Sequence, residues 1–567
     1  MAIDLLLMRH REQRPFLEQP LAGLAGAEGP PDERTKLEGQ TALERRAKEE
    51  HGDGFLRDDA ADPQDLAAQG WGIVITDDER GEQLLSAIHD LRQARQAQQG
   101  FDVTVYRVKP GMDAREAARW KNDVYWNPRV SRKARPRYLL VLGDLDGVSL
   151  EFQQMVGLDT YMGRLAFSDL RAYGAYVEKI LQWEKKPESA AYGRAMFYTV
   201  RDSTNATNSA HRQLVKPLCN SCTKASETDG EIEGTDVSSI PFEYGQDDPI
   251  SPVLNILQDK RPGVFFSASH GLGAPLDGFE TPALRRNLQG AMCFGNGKKL
   301  TGAELVGQTF LPGGVWFMLA CYGAATPAKS AYYEWLRVLK ENDKYRESAS
   351  AVLEGLPGSG EKPFVAALPQ AVLANPQGPI AVISHADLAW TFAFEDVEKG
   401  TSHTERFEGL VKGILKKNRI GTAFHDLYRF WGEKSSELLL HYEPNDQDVL
   451  SRDPIERSLL WLARNDIAGY MLLGDPAARL PLAGTAPKPA KNLEEPSNRV
   501  VVGAVVPPIE TTGPGIDERK MEQAVIAVLA GESVAAVAAR LRVDRDKLPR
   551  WVSSYREAGL AALRKYR

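Results

Sequence analysis

Two residues of this 567-residue chain are placed for acyl-transfer chemistry. The apolar run Val264-Phe-Phe-Ser-Ala-Ser269 is followed by His270 and Gly271, and the run Val315-Trp-Phe-Met-Leu-Ala320 by Cys321, Tyr322 and Gly323. Both runs read as buried strands, and in open α/β sheets reactive groups collect where strands end. His270 and Cys321 are 51 residues apart, enough for one crossover between neighbouring parallel strands. A thiol becomes a good nucleophile when a neighbour favours the thiolate, and an imidazole close by does this. The glycine after the histidine lets backbone approach a substrate closely. The N–H groups of Gly271 and Cys321 can then point at a developing oxyanion.

Each residue also has a plainer role. A lone cysteine in an apolar strand is ordinarily a small buried hydrophobe, and a lone histidine is ordinarily structural. It is the pairing at two strand ends, with the glycine and the flanks, that points to catalysis. His385, which ends the run Ile380-Ala-Val-Ile-Ser384, is a rival but lacks a following glycine. Cys219-Asn-Ser-Cys222 supplies two metal ligands where structural zinc needs four, so it reads as an incidental surface loop. No phosphate-binding or dinucleotide-binding glycine pattern is present. No metal and no cofactor are expected.

The elements that must hold the pair begin at Trp71. Short apolar runs at 72–75, 101–106, 138–143, 195–200, 263–268, 314–320 and 379–384 read as strands. Helical stretches are expected between them over 79–98, 114–125, 168–185, 205–214 and 364–373. Continuous apolar strands alternating with helices predict an α/β body over 71–480, a mostly parallel sheet flanked by helices. Residues 1–70, rich in Glu, Arg, Gly and Pro, read as an amino-terminal arm. Residues 481–517 read as a Pro-rich linker, within which 500–506 is a candidate edge strand. Residues 518–567 return to helical periodicity, with breaks at 531–533 and 542–544, as a small all-α domain.

Composition limits the function classes. Hydrophobic residues are 43% and charged residues 26% of the chain, so wholesale disorder is excluded. No apolar run approaches the ~20 residues of a membrane helix, and the opening stretch is too short and too acidic for a secretory signal. A cytoplasmic protein is expected, with no membrane partner. Four cysteines are no disulfide framework. The net charge of −7 argues against a general nucleic-acid binder. Residues 518–567 nevertheless hold 11 Lys/Arg against six Asp/Glu.

At Phe265-Phe-Ser-Ala-Ser-His-Gly271 and Phe317-Met-Leu-Ala-Cys-Tyr-Gly323 the sequence resembles caspase-like cysteine peptidases of clan CD, of the gingipain type, with CHAT peptidases as near relatives. Tyr138-Leu-Leu-Val-Leu-Gly-Asp144, Gly163-Arg-Leu165, Lys179-Ile-Leu181 and Gly474-Asp-Pro-Ala477 look like the same family, so the resemblance covers about 71–480. It implies a Cys321–His270 dyad with no obligatory third member, and an oxyanion hole from the backbone of Gly271 and Cys321. It also implies substrate-pocket positions. Asp159 is the nearest match to the acid that selects basic residues, although its loop is shorter than is usual in the family. Trp390 resembles the residue walling the pocket. Asp387 lies close by, with a helix cap at Leu388 as its plainer role.

The last ~50 residues resemble the helix-turn-helix of transposase-related proteins. Trp551 and Val552 would close its core, and Arg545, Lys547, Arg550 and Arg556 would lie near a phosphate backbone. The first reading is therefore a cytoplasmic cysteine endopeptidase that cuts a specific protein substrate in a regulated signalling or defence pathway. It would carry a module for DNA or a protein partner and await an activating partner or ligand. The alternative is a DNA-binding regulator whose α/β body is an inactive peptidase-like sensor. Transpeptidation on the same pair is a third reading.

Overall fold

The computed structural model describes residues 2–17, 21–22, 33–50, 61–485 and 537–538, except 128, 132–133, 189, 243–244, 344, 358–359, 397–399 and 443–453. The chain divides into two compact units, Met1–Gly503 and Ala504–Arg567. Of the second, only Val537 and Ala538 are described, both buried in a helical conformation. The remaining expected features of the linker and the basic module, including the edge strand over 500–506, Trp551, Val552, Arg545, Lys547, Arg550 and Arg556, lie outside the described residues.

The first unit is a mixed α/β body built on one large sheet. In chain order its strands are β1 (Trp71–Thr76), β2 (Thr104–Val108), β3 (Tyr138–Leu142), β4 (Tyr161–Leu165) and β5 (Arg194–Thr199). They continue with β6 (Asp236–Ile240), β7 (Gly263–Ala268), β8 (Val315–Leu319), β9 (Ala381–His385) and β10 (Tyr470–Gly474). The spatial order is β2-β1-β3-β4-β10-β9-β8-β7-β5-β6. Neighbours are parallel through β2-β1-β3-β4 and through β9-β8-β7-β5-β6. β10, the last strand in sequence, joins the two halves, antiparallel to β9 and meeting β4 at the pair Arg164 and Leu473.

Burial explains the sequence of the strands. Every residue of β1, β3, β7, β8, β9 and β10 is buried, so these strands are apolar nearly throughout, as expected when helices cover both faces. Phe266 and Phe317 stack across β7 and β8 with centroids 4.4 Å apart, and Phe407 of the helix Glu405–Leu415 meets both edge-on. The helices begin on side-chain caps. Asp78, Ser149 and Asp169 each accept a backbone N–H of the following first turn.

Several local expectations change; the helix expected over 364–373, for one, opens as a short strand, Phe364–Val365, before the helix Ala367–Ala374. The helix over 79–98 is two helices, Glu79–Ala87 and His89–Gln99, because Ile88 leaves helical geometry while keeping its side chain in the core. No helix starts at Leu388; the stretch after β9 stays irregular, and Asp387 bonds the Leu388 N–H without capping a helix. Cys219 and Cys222 lie on the helix Lys216–Glu227, not on a surface loop, with Cys222 in the core. The apolar periodicity of that helix continues from residues 205–215 and carries Cys222 inward.

The described parts of the arm lie on the body. Leu7–Arg9 adds a strand parallel to Gly271–Gly273. The helix Glu33–Glu50 buries Thr41 against Met155, and the buried Glu38 pairs with the half-buried Arg34 and the buried Arg464. Among the described residues, no helix is long and apolar enough to cross a membrane.

Candidate active site

Register brings the two candidate residues side by side. Ala268 of β7 pairs with Leu319 of β8, and the ladder continues with the Ser269 N–H bonded to the Leu319 carbonyl at 3.1 Å. His270 and Cys321 each lie two residues beyond that pair, at equivalent places on neighbouring strands ~4.8 Å apart. Thr199 of β5 pairs with Ala268 on the other side, so the turn that follows β5 faces His270. Close packing explains Gly271: a Cβ there would lie 1.9 Å from the Cys321 carbonyl oxygen. Tyr322 turns the chain sharply after the cysteine with φ of 56°, a left-handed conformation that is strained for an aromatic residue. The turn is fastened by bonds from the Tyr322 N–H to the Asp387 carbonyl and from the Ala324 N–H to the His385 carbonyl, both 2.9 Å.

The turn after β5 supplies residues that no local sequence signal marks. His270 Nε2 lies 2.9 Å from Thr204 Oγ1 and 3.6 Å from Asp202 Oδ2. Thr204 Oγ1 donates its own hydrogen to Asp202 Oδ1 at 2.8 Å, and Thr207 Oγ1 donates to the same oxygen at 2.8 Å. A hydroxyl has one hydrogen to give. Thr204 therefore accepts from His270, which places the imidazole hydrogen on Nε2. Nδ1 is left with its lone pair, buried and without a hydrogen-bond partner among the described residues. A buried polar atom with no partner is costly in a structural role. An imidazole nitrogen with its lone pair unused is able to accept a proton.

Burial sets the protonation of the pair. The Cys321 thiol is pushed well above its ordinary value, chiefly by burial, and the nearby carboxyls of Asp466 and Asp387 act in the same direction. Burial holds the His270 imidazole below its ordinary value, with the Asp202 carboxylate opposing. Both groups are neutral at pH 7, so a thiolate forms by passing its proton to a neighbour.

The backbone donors converge. The Gly271 N–H and the Cys321 N–H both donate to one carbonyl oxygen, that of Leu6, at 2.9 and 3.2 Å. Ala389 links the same carbonyl's residue to the thiol. Its carbonyl accepts the Leu6 N–H at 3.1 Å, and its N–H donates to Cys321 Sγ at 3.0 Å.

The other sequence candidates lie as follows. His385 has both ring nitrogens committed to backbone, Nδ1 at Asp387 and Nε2 at the Asp466 carbonyl 3.0 Å away, and burial lowers it to about 4. Asp387 adjoins the Cys321 turn, but its carboxyl accepts the Ala331 and Leu388 N–H groups at 2.8 Å; burial raises it to about 6. Trp390 is fully buried, pairs its backbone with Leu5, and packs its indole against Tyr332 and Trp335. Asp159 is not brought to this cluster. It precedes β4 and binds Lys121 Nζ at 2.5 Å and Trp126 Nε1 at 2.8 Å. Among the described residues, no group of three His, Cys, Asp or Glu could hold a metal ion.

No curated protein matches the chain. Three solved structures are similar to it: a chain described as a protease (13% identity, TM-score 0.42, covering 72% of this chain and 78% of that one), the Arg-specific cysteine proteinase gingipain R (11%, 0.39, 73% and 78%), and the pro- and mature domain complex of RgpB from Porphyromonas gingivalis (10%, 0.38, 72% and 80%). Residues 522–567 match the helix-turn-helix domain family. The carboxyl-terminal end of the chain is thus a helix-turn-helix domain.

Proposed function

We propose that the body is a cysteine endopeptidase acting through Cys321 and His270 on a specific protein substrate in the cytoplasm. One observation carries this reading: the backbone N–H groups of Gly271 and Cys321, past the ends of two neighbouring strands, donate to a single carbonyl oxygen, and the adjoining His270 keeps Nδ1 without a partner among the described residues. Cys321 attacks the carbonyl carbon, and the thiol proton passes to His270 Nδ1 and on to the leaving amine. Gly271 and Cys321 N–H hold the oxyanion, each donor being worth ~3–4 kcal/mol in such sites. Thr204 and Asp202 hold the imidazole through Nε2 and leave Nδ1 to take the proton, the third-member role that the sequence does not reveal. The test is to expose a peptide library to the full chain and to Cys321→Ala and read the products by mass spectrometry. Cuts that persist in the variant, or none with either protein, overturn the reading.

For residues 522–567 we propose DNA contact, on the helix-turn-helix match and the excess of Lys and Arg there. Binding to duplex DNA should weaken steeply with salt. Binding unaffected by Arg545→Ala and Arg550→Ala, or absent at ~50 mM salt where phosphate contacts are strongest, sinks this part.

A further inference from the structure

The carbonyl in the oxyanion donors belongs to the chain itself. We propose that the Leu6–Leu7 peptide bond is an intramolecular substrate of the Cys321 site, and that the residue accepted before the cut is apolar. The proposal rests on the peptidase reading and deepens it.

The segment Asp4–Arg9 threads the site as an extended peptide would. Leu5 forms an antiparallel bridge with Trp390, and the Leu6 N–H donates to the Ala389 carbonyl. Beyond the Leu6 carbonyl, Leu7–Arg9 continues as a strand parallel to Gly271–Gly273. Backbone pairing on both sides of one carbonyl is the mode by which extended peptides are held for recognition, and it fixes which carbonyl lies on the Gly271 and Cys321 N–H groups. Leu5, Leu6 and Leu7 are buried in the main core cluster, Leu6 completely. The nearby carboxyl of Asp387 is filled by backbone N–H groups, and that of Asp159, bound to Lys121 through Oδ2, is not brought to this cluster. Neither is placed to receive a basic side chain here. A leucine matches the surroundings, and an unpaired guanidinium there would be buried at high cost.

The step balances without any co-reactant but water. Cys321 Sγ bonds to the Leu6 carbonyl carbon while the thiol proton moves to His270 Nδ1. The Leu6–Leu7 C–N bond breaks, and the Leu7 nitrogen takes that proton and leaves as an amine. Water then adds to the thioester, giving a Leu6 carboxyl group and restoring the thiol. The segment ending at Leu6 can depart and open its subsites, while Leu7 remains paired to the body.

Intact mass and amino-terminal sequencing of the full chain test this, beside Cys321→Ala, Leu6→Asp and Leu6→Arg, with melting curves to show that each folds. A chain beginning at Leu7 in the wild type, an uncut chain in Cys321→Ala, and cutting at least tenfold slower in both Leu6 variants support the proposal. The same preparations are given a fluorogenic Ile-Asp-Leu-Leu amide and its Ile-Asp-Leu-Arg counterpart. An uncut wild type that still cleaves either amide through Cys321 overturns self-cleavage and leaves the peptidase reading standing. Failure to cut the chain or the amides overturns both. Leu6→Arg cut as fast as the wild type overturns the apolar preference.

Discussion

Two buried pairs of titratable side chains, one in each half of the sheet, are built to opposite ends. Beside β4, Lys121 and Asp159 lie 2.5 Å apart, each at most 4% exposed, as a cation against an anion. Past β7 and β8, His270 and Cys321 are fully buried and both neutral, with Nδ1 of the histidine left unbonded. In the first pair opposite charges meet through Lys121 Nζ and Asp159 Oδ2, while Asp159 Oδ1 has no hydrogen-bond partner among the described residues. In the second, Cys321 Sγ bonds to the Ala389 backbone while His270 Nδ1 has no partner among the described residues. Burial and titratability are common to both, so neither property identifies the site. What distinguishes it is a ring nitrogen kept unbonded while its partner nitrogen is tied to Thr204.

The sharpest break in this contrast comes at the sulfur. Cys321→Ala should lower peptide cleavage by at least about 10⁴-fold, as losing a nucleophile does elsewhere, and leave the melting temperature nearly unchanged. Comparable residual cleavage would put the chemistry elsewhere. The opposite outcome is expected across the sheet. Lys121→Met strands the Asp159 carboxyl and should destabilise the fold by about 3–5 kcal/mol, measured by urea unfolding. Protein that remains folded should keep its specific activity.

Asp202→Asn should have a smaller effect, a loss of about 10–100-fold in kcat with KM little changed, since it weakens one general acid–base relay. Asp202 raises the His270 value against burial, so its neutralisation should also move the acidic limb of the pH–rate profile to lower pH. A merely structural role would lower activity without moving that limb. The smallest effect concerns stability. Burial raises Asp466 to about 8, so the folded protein holds a proton that the unfolded chain releases near pH 4. Its contribution is complete below pH 4 and declines as pH rises through about 8. Asp466→Asn removes this slope, so between pH 5 and 9 the wild type should lose melting temperature relative to the variant. Parallel curves would show Asp466 to be ionised throughout. His385, held at about 4, acts in the other direction, destabilising the fold as pH falls from about 6.5.

The mostly parallel sheet is legible because β3, β7, β8 and β9 are buried on both faces and so announce themselves as unbroken apolar runs. The positions of His270 and Cys321 just beyond two such runs follow from that alone. The contributions of Asp202 and Thr204 do not. They sit in a turn, in a pattern shared by any helix cap, and acquire meaning only through the register that sets β5 against β7. The placement of Leu6 is harder still, because its partners Gly271, Cys321 and Ala389 are hundreds of residues away. Asp159 shows the converse. A lone acid looks available in a sequence, and Lys121, 38 residues earlier, claims it only in three dimensions.

β10 carries a consequence for how the molecule is made. It is the last strand of the body to leave the ribosome, yet it fills the middle of the sheet between β4 and β9. Until residues 470–474 emerge, the facing sides of two nascent half-sheets must stay apart with their edges unpaired. A truncated product stopping short of Tyr470 would expose both edges at once, and such fragments should be recovered as aggregates rather than as smaller folded bodies.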